Sequence, residues 1–160
     1  MINFETDREK YAWLAGLLDG EGCLSIRTTV WKKSDDYLVG KSYMPVMLIT
    51  NSDMGLLQEV LEQCKLPNRI YVNRPSNHGR LGKKPQGEVI FCPEKIREFL
   101  PKMMPFLVIK KRQAEIILEM LDRKKNRGKD FIEKHGRIAY FEACVKDKAE
   151  IMHLNRPTKY

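Results

Sequence analysis

Residues 13–22 read Trp13-Leu14-Ala15-Gly16-Leu17-Leu18-Asp19-Gly20-Glu21-Gly22, and this stretch decides the fold. It closes a helical pattern running from Asp7 to Gly20, with Tyr11, Leu14, Leu17 and Leu18 spaced to share an apolar face. Ala12, Gly16 and Gly20 recur every four residues and line another stripe of the same helix. Small residues let two helix backbones approach closely and are a poor choice for ordinary core packing. Each glycine costs about 1 kcal/mol of helix propensity relative to alanine, so packing must compensate. A crossing helix of the same chain could do so. A single copy of the pattern in a short chain favours pairing with a second copy across a twofold axis instead. Asp19 and Glu21 fall at the helix C-terminus, where the macrodipole disfavours carboxylates unless a cation or donor meets them. If two copies pair, both Glu21 side chains approach the axis, and their repulsion would raise a pKa or recruit a divalent ion. Magnesium suits such a place, being hard, oxygen-liganded and content with one or two carboxylates plus phosphates and waters.

Working outward, a strand is expected over Cys23 to Lys33. Leu24, Ile26, Thr28 and Val30 form its packed face, and Ser25, Arg27, Thr29, Trp31 and Lys33 its polar face. Lys32 to Lys41 reads as a long hairpin loop, and Ser42 to Asn51 as the returning strand. That strand is apolar on both faces (Met44, Val46 and Leu48 against Tyr43, Pro45, Met47 and Ile49), so its register stays open. A second helix spans about Asp53 to Cys64, with Ser52 or Asp53 as N-cap. Arg69 to Arg74 and Glu88 to Cys92 are short strands flanking a basic loop, Pro75 to Gln86. Pro93 opens a helix carrying Ile96, Phe99 and Leu100. A longer helix is expected over Val108 to Lys125, then a basic turn, then a helical region from Asp130 to Leu154. Hairpins with helices between them give an α+β fold: an αββαββα core with an antiparallel sheet, plus C-terminal helices, in a single domain over residues 1–160.

The chain has 160 residues, 42% hydrophobic and 31% charged, the balance of a folded globular protein. No run of about 18 uncharged apolar residues exists, so no membrane span is expected. The charged stretch from Met1 to Lys10 does not read as a signal-peptide core, and an intracellular location is expected. Cys23, Cys64, Cys92 and Cys144 form no C-x-x-C pair and read as buried reduced thiols. The net charge of +8 is unevenly placed, with residues 65–112 holding twelve Lys or Arg against three Asp or Glu. A basic block of that size within a folded domain is the footprint of a polyanion partner.

The 13–22 stretch resembles the LAGLIDADG motif at nearly every position, with Leu18 for Ile, Gly20 for Ala and Glu21 for the second Asp. The element order also resembles that of the LAGLIDADG homing endonucleases over most of the chain. The resemblance implies a homodimeric, intron-encoded, site-specific DNA endonuclease whose sheet forms a saddle on double-stranded DNA. It implies Mg2+ (or Mn2+) held by Glu21 and the backbone carbonyl of Gly20, with Ala12, Gly16, Asp19 and Gly20 at the dimer interface. Asp19 would be a structural residue bonding near the partner helix. Pro105-Phe106-Leu107-Val108-Ile109-Lys110 resembles the segment carrying the family's lysine. That gives Lys110 the task of steadying the scissile phosphate or polarising water. The polar residue at the end of the second strand maps to Asn51. An arginine of some relatives falls near Gly55 and is missing. Both strands would be cut across the minor groove, leaving short 3′ overhangs.

Two hairpins per subunit suit a major groove. A nine-residue strand reaches roughly 30 Å at about 3.3 Å per residue. A dimer would then span a nearly palindromic site of roughly twenty base pairs. The expected readers are Ser25, Arg27, Thr29, Trp31, Lys33, Ser42, Asn73 and Glu88, with Arg27 suited to guanine and Glu88 to cytosine. Arg69, Arg74, Arg80, Lys83 and Lys84 are expected on phosphates. Two other readings keep the fold. An intron RNA maturase would bind RNA and need no Glu21, and a DNA-binding regulator would bind without cutting. The location would be whichever compartment holds the target genome, bacterial cytoplasm or organelle.

Overall fold

In chain order the elements are α1 (Asp7–Glu21), β1 (Gly22–Val30), β2 (Lys41–Asn51), α2 (Met54–Cys64), β3 (Tyr71–Asn73), β4 (Gln86–Phe91) and α3 (Pro93–Met103). A 3-10 turn (Met104–Phe106), α4 (Lys111–Arg123), a second 3-10 turn (Lys125–Gly128), α5 (Lys129–His135) and α6 (Arg137–Leu154) complete it. The computed structural model describes residues 2–30, 41–67, 69–73 and 85–156, without the side chains of Lys41, Asn73, Asn126 and Arg127. Trp31, Lys33, Arg74, Arg80, Lys83, Lys84 and most of the two long loops expected at 32–41 and 75–86 lie outside the described residues. The strands form one sheet in the order β1-β2-β4-β3. Both β2 and β3 run antiparallel to β4, from Met47 opposite Phe91 to Asn51 opposite Gly87, and from Tyr71 opposite Glu88 to Asn73 opposite Gln86. The expected α+β class is the observed one.

Burial settles the register that the sequence left open. Tyr43, Pro45, Met47 and Ile49 of β2 are buried, whereas Met44 is half exposed and Ser42, Leu48 and Thr50 are intermediate. Only Val46 breaks the alternation, at 4% exposed. Proline in a central strand would delete a ladder bond, but the ladder to β4 begins at Met47, after Pro45.

The chain divides into two compact units. The first comprises Met1–Cys23 and Met47–Lys110. Here α1 buries Leu14, Ala15 and Leu18 and packs on α3 and the first 3-10 turn. Helix α3 turns Ile96, Phe99, Leu100 and Met103 inward, the spacing of one apolar face. The Phe99 ring meets Tyr11 at 6.1 Å and Phe91 at 6.3 Å, both edge-on. Helix α2 starts at Asp53, whose carboxylate accepts from the Gly55 and Leu56 amides at 2.9 and 3.1 Å. It buries Leu57, Val60, Leu61 and Cys64 and lies so close to β4 that a Cβ on Gly87 would come within 2.5 Å of Leu57 Cδ1.

The second unit comprises Leu24–Val46 and Lys111–Tyr160. Helix α4 packs Ile116, Ile117, Met120 and Leu121 inward, and α6, packed on it, contributes Tyr140, Cys144 and Ile151. Burial in this core pushes the Tyr140 phenol up to about 12, raises the Cys144 thiol and lowers the Lys124 ammonium. Lys124 is retained by donating to the Tyr43 carbonyl at 2.8 Å. Across the two helices Arg123 pairs with Asp147, with side chains only 17% and 11% exposed. Removing one partner of such a pair strands a desolvated charge, at about 3–5 kcal/mol. Asp147→Asn is therefore expected to lower the melting temperature by about 10 °C, at roughly 2–4 °C per kcal/mol for a chain of this size. Differential scanning calorimetry checks this, and an unchanged melting point would show the pair to be dispensable.

Three sequence expectations are corrected. Helix α4 starts at Lys111, not Val108, because the preceding three residues are bound elsewhere. The region expected from Asp130 to Leu154 is two helices, broken at Gly136, whose φ of 85° takes it out of helical geometry. Val30, expected on the packed face of β1, is 57% exposed. All four cysteines are free, though only Cys64 and Cys144 are buried. Among the described residues no helix is long and apolar enough to cross a membrane.

Candidate active site

Helix α1 ends at Glu21 and β1 begins at Gly22, so the acids of the motif sit at a junction with no loop between helix and strand. Gly22 closes the helix by donating its N–H to the Leu18 carbonyl. A Cβ at Gly22 would lie 2.6 Å from that oxygen and 2.7 Å from Leu18 Cα, backbone atoms that cannot give way. Gly22→Ala is expected to cost about 2 kcal/mol, in the range of overpacking. A lowered urea midpoint at unchanged slope would register it.

Along the same helix Gly16 and Gly20 are exposed, and a Cβ on either would meet nothing within 4 Å. Ala12 is half-buried. Among the described residues, no helix of the same chain fills the notch at Gly16 and Gly20.

Asp19 is half-buried, and its carboxylate is engaged within its own chain. It accepts from three successive amides: Val108 at 2.7 Å, Ile109 at 3.2 Å and Lys110 at 2.9 Å. Lys110 in turn donates its ammonium to the Asp19 backbone carbonyl. Three donors answer the penalty of a carboxylate at a helix C-terminus. The structure thus brings Asp19 and Lys110 together at the end of the motif helix, one residue before Gly20 and two before the exposed Glu21. No spacing in the sequence signals this clasp, although the β-branched pair Val108-Ile109 argues against starting a helix there.

Asn51 ends β2, half-buried, and its side-chain oxygen accepts from the Asp53 amide at 2.8 Å. That bond shapes the turn into α2 and leaves the NH2 group as the part that can face a ligand. Gly55 lies exposed in the first turn of α2 and offers no side chain there. Among the described residues no three His, Cys, Asp or Glu cluster to hold a metal. Glu21 and the Gly20 carbonyl, in the last turn of α1 where carbonyls lack the i+4 amide, offer oxygen donors only. That chemistry fits a hard divalent ion whose shell is completed from outside the chain.

On β1, Leu24 and Ile26 are buried while Arg27 and Thr29 are exposed and Ser25 is half-buried, the alternation expected of a reading strand. Lys148 donates to Thr28 Oγ1 at 2.6 Å, and Asn155 donates to the Leu24 carbonyl at 2.9 Å. Ser42 shares the even-numbered side of β2 with the exposed Met44, a residue not singled out as a reader. In the other unit Glu88 sits half-buried on the face of β4 opposite the buried Gly87, Val89 and Phe91. Arg69 is exposed just before β3, its guanidinium 5.9 Å from the centre of the Tyr71 ring. Asn73 belongs to β3.

No protein-family model matches the sequence. A DNA endonuclease of Chlorella vulgaris, I-CvuI, is 25% identical over 123 residues, covering 75% of this chain and 68% of its own. Its crystal structure with a DNA target in the presence of 2 mM Mg superposes with a TM-score of 0.66 at 17% identity, over 96% of this chain and 87% of that one. An archaeal intron-encoded homing endonuclease complexed with DNA gives a TM-score of 0.70 at 20% identity, over 97% of this chain and 89% of that one. A LAGLIDADG meganuclease bound to uncleaved DNA gives 0.66 at 14% identity, over 93% of this chain but 46% of that one. In its motif helix, its sheet order and its fold, the chain is similar to the LAGLIDADG homing endonucleases.

Proposed function

We propose that this chain is a site-specific DNA endonuclease that works as a homodimer and needs a divalent metal. The observation that carries the reading is a glycine-notched helix, open along Gly16 and Gly20, that ends in an exposed Glu21. Pairing two such helices through Ala12, Gly16 and Gly20 puts one acid over each strand of a duplex.

Glu21 and the Gly20 carbonyl would hold Mg2+ or Mn2+, which when bound supplies a Lewis acid and an activated water at neutral pH. The remaining work falls to the chain's own side chains. Lys110 offers a fixed positive charge for the phosphate as negative charge develops on its oxygens. The Asn51 NH2 can orient the attacking water in line with the leaving oxygen. Arg27, Thr29, Ser25, Ser42 and Glu88 face the base edges, and Arg69 meets a phosphate. The cell compartment would be the one that holds the target genome.

Selection from a randomised duplex library in Mg2+ tests the reading. The expected product is a nearly palindromic site of roughly twenty base pairs, cut on both strands. Tight binding without cutting in either Mg2+ or Mn2+ would make the chain a regulator. Tighter binding to intron RNA than to any duplex would make it a maturase.

A further inference from the structure

We propose that Asp19 is the positioning residue for Lys110, gripping the loop backbone with its carboxylate and the lysine ammonium with its carbonyl. The inference rests on the reading of Lys110 as part of the cutting machinery. A lysine ammonium on a four-carbon stem is a mobile charge. Here both ends of the residue are tied to one partner, the amide to the Asp19 carboxylate at 2.9 Å and the ammonium to the Asp19 carbonyl. The clasp works against local preference. Val108 and Ile109 are held 84% and 70% exposed, although burying them would be favourable, and their amides are spent on Asp19. Leu107, 5% exposed, anchors the loop on its near side. The geometry serves Lys110: its charge is delivered to the Asp19 carbonyl in the last turn of the motif helix, two residues before Glu21. Asp19 therefore acts on the chemical step through Lys110 and not on the grip on DNA.

The test is a double-mutant cycle of Asp19→Asn and Lys110→Ala on the full-length protein and its selected target. Single-turnover cutting is measured in Mg2+, target affinity in Ca2+, and melting temperature for each variant. Asp19→Asn is expected to slow cutting about 10–100-fold, the usual effect of losing an outer-shell orienting contact. Target affinity should change less than about threefold, and the same change in the Lys110→Ala background should slow cutting by less than about twofold. An equal slowing in both backgrounds, or wild-type cutting by Asp19→Asn, would overturn the positioning role. Wild-type cutting by Lys110→Ala would instead overturn the reading of Lys110 itself, and the two failures are distinct. Should Asp19→Asn melt below the assay temperature, Asp19→Glu keeps the charge while displacing the grip. It is judged by the same non-additivity with Lys110→Ala.

Discussion

Glu21→Gln is expected to slow single-turnover cutting by about a thousandfold while target affinity in Ca2+ stays within a few-fold of wild type. The substitution keeps shape and removes one charge from the end of α1. Glu21 is exposed, and an exposed substitution of this kind changes stability by about 0.5 kcal/mol or less. A metal ion lowers the barrier of phosphodiester attack by several kcal/mol. Loss of about 4 kcal/mol, at 1.36 kcal/mol per tenfold, gives the stated factor. Quenched-flow or gel-based cutting assays read it directly. Cutting within tenfold of wild type would take Glu21 out of the metal site.

Gly16→Leu is expected to leave a folded single chain that neither dimerises nor cuts. The space beside Gly16 is open, so a leucine fits the isolated chain. It also gains roughly 0.5–1 kcal/mol of helix propensity over glycine. The same side chain stands where a second helix backbone would have to come, and close approach is the use of a small-residue stripe. A cooperative melting transition that no longer depends on protein concentration, together with the mass of one chain, is the expected pair of results. A variant that still forms dimers and still cuts would show that the stripe faces solvent in the working enzyme.

Periodicity made most of the fold legible. The apolar face of α3 follows from spacing alone, that of α1 only at Leu14 and Leu18, and Asp53 is readable as a cap because its side chain can answer the first-turn amides. What failed to show was long-range. The β2 register was hidden because both faces are apolar, and only its pairing with β4 and its burial resolve it. The start of α4 is not legible from spacing because the competitor for the amides of residues 108–110 is Asp19, some ninety positions earlier in the chain. The motif pointed to Glu21 as an acid at a helix end, and the exposed carboxylate is there. It did not show that Asp19 spends its carboxylate within its own chain, nor that Asn51 shapes the turn into α2. Both are hydrogen-bond facts that no spacing encodes.

The number of chains on a cut duplex decides most directly whether two motif helices act together. Sedimentation of the wild-type protein on its selected target in Ca2+ should give two chains per duplex, and the same preparation should cut both strands once Mg2+ is added. One chain per duplex in a preparation that still makes double-strand cuts would contradict it.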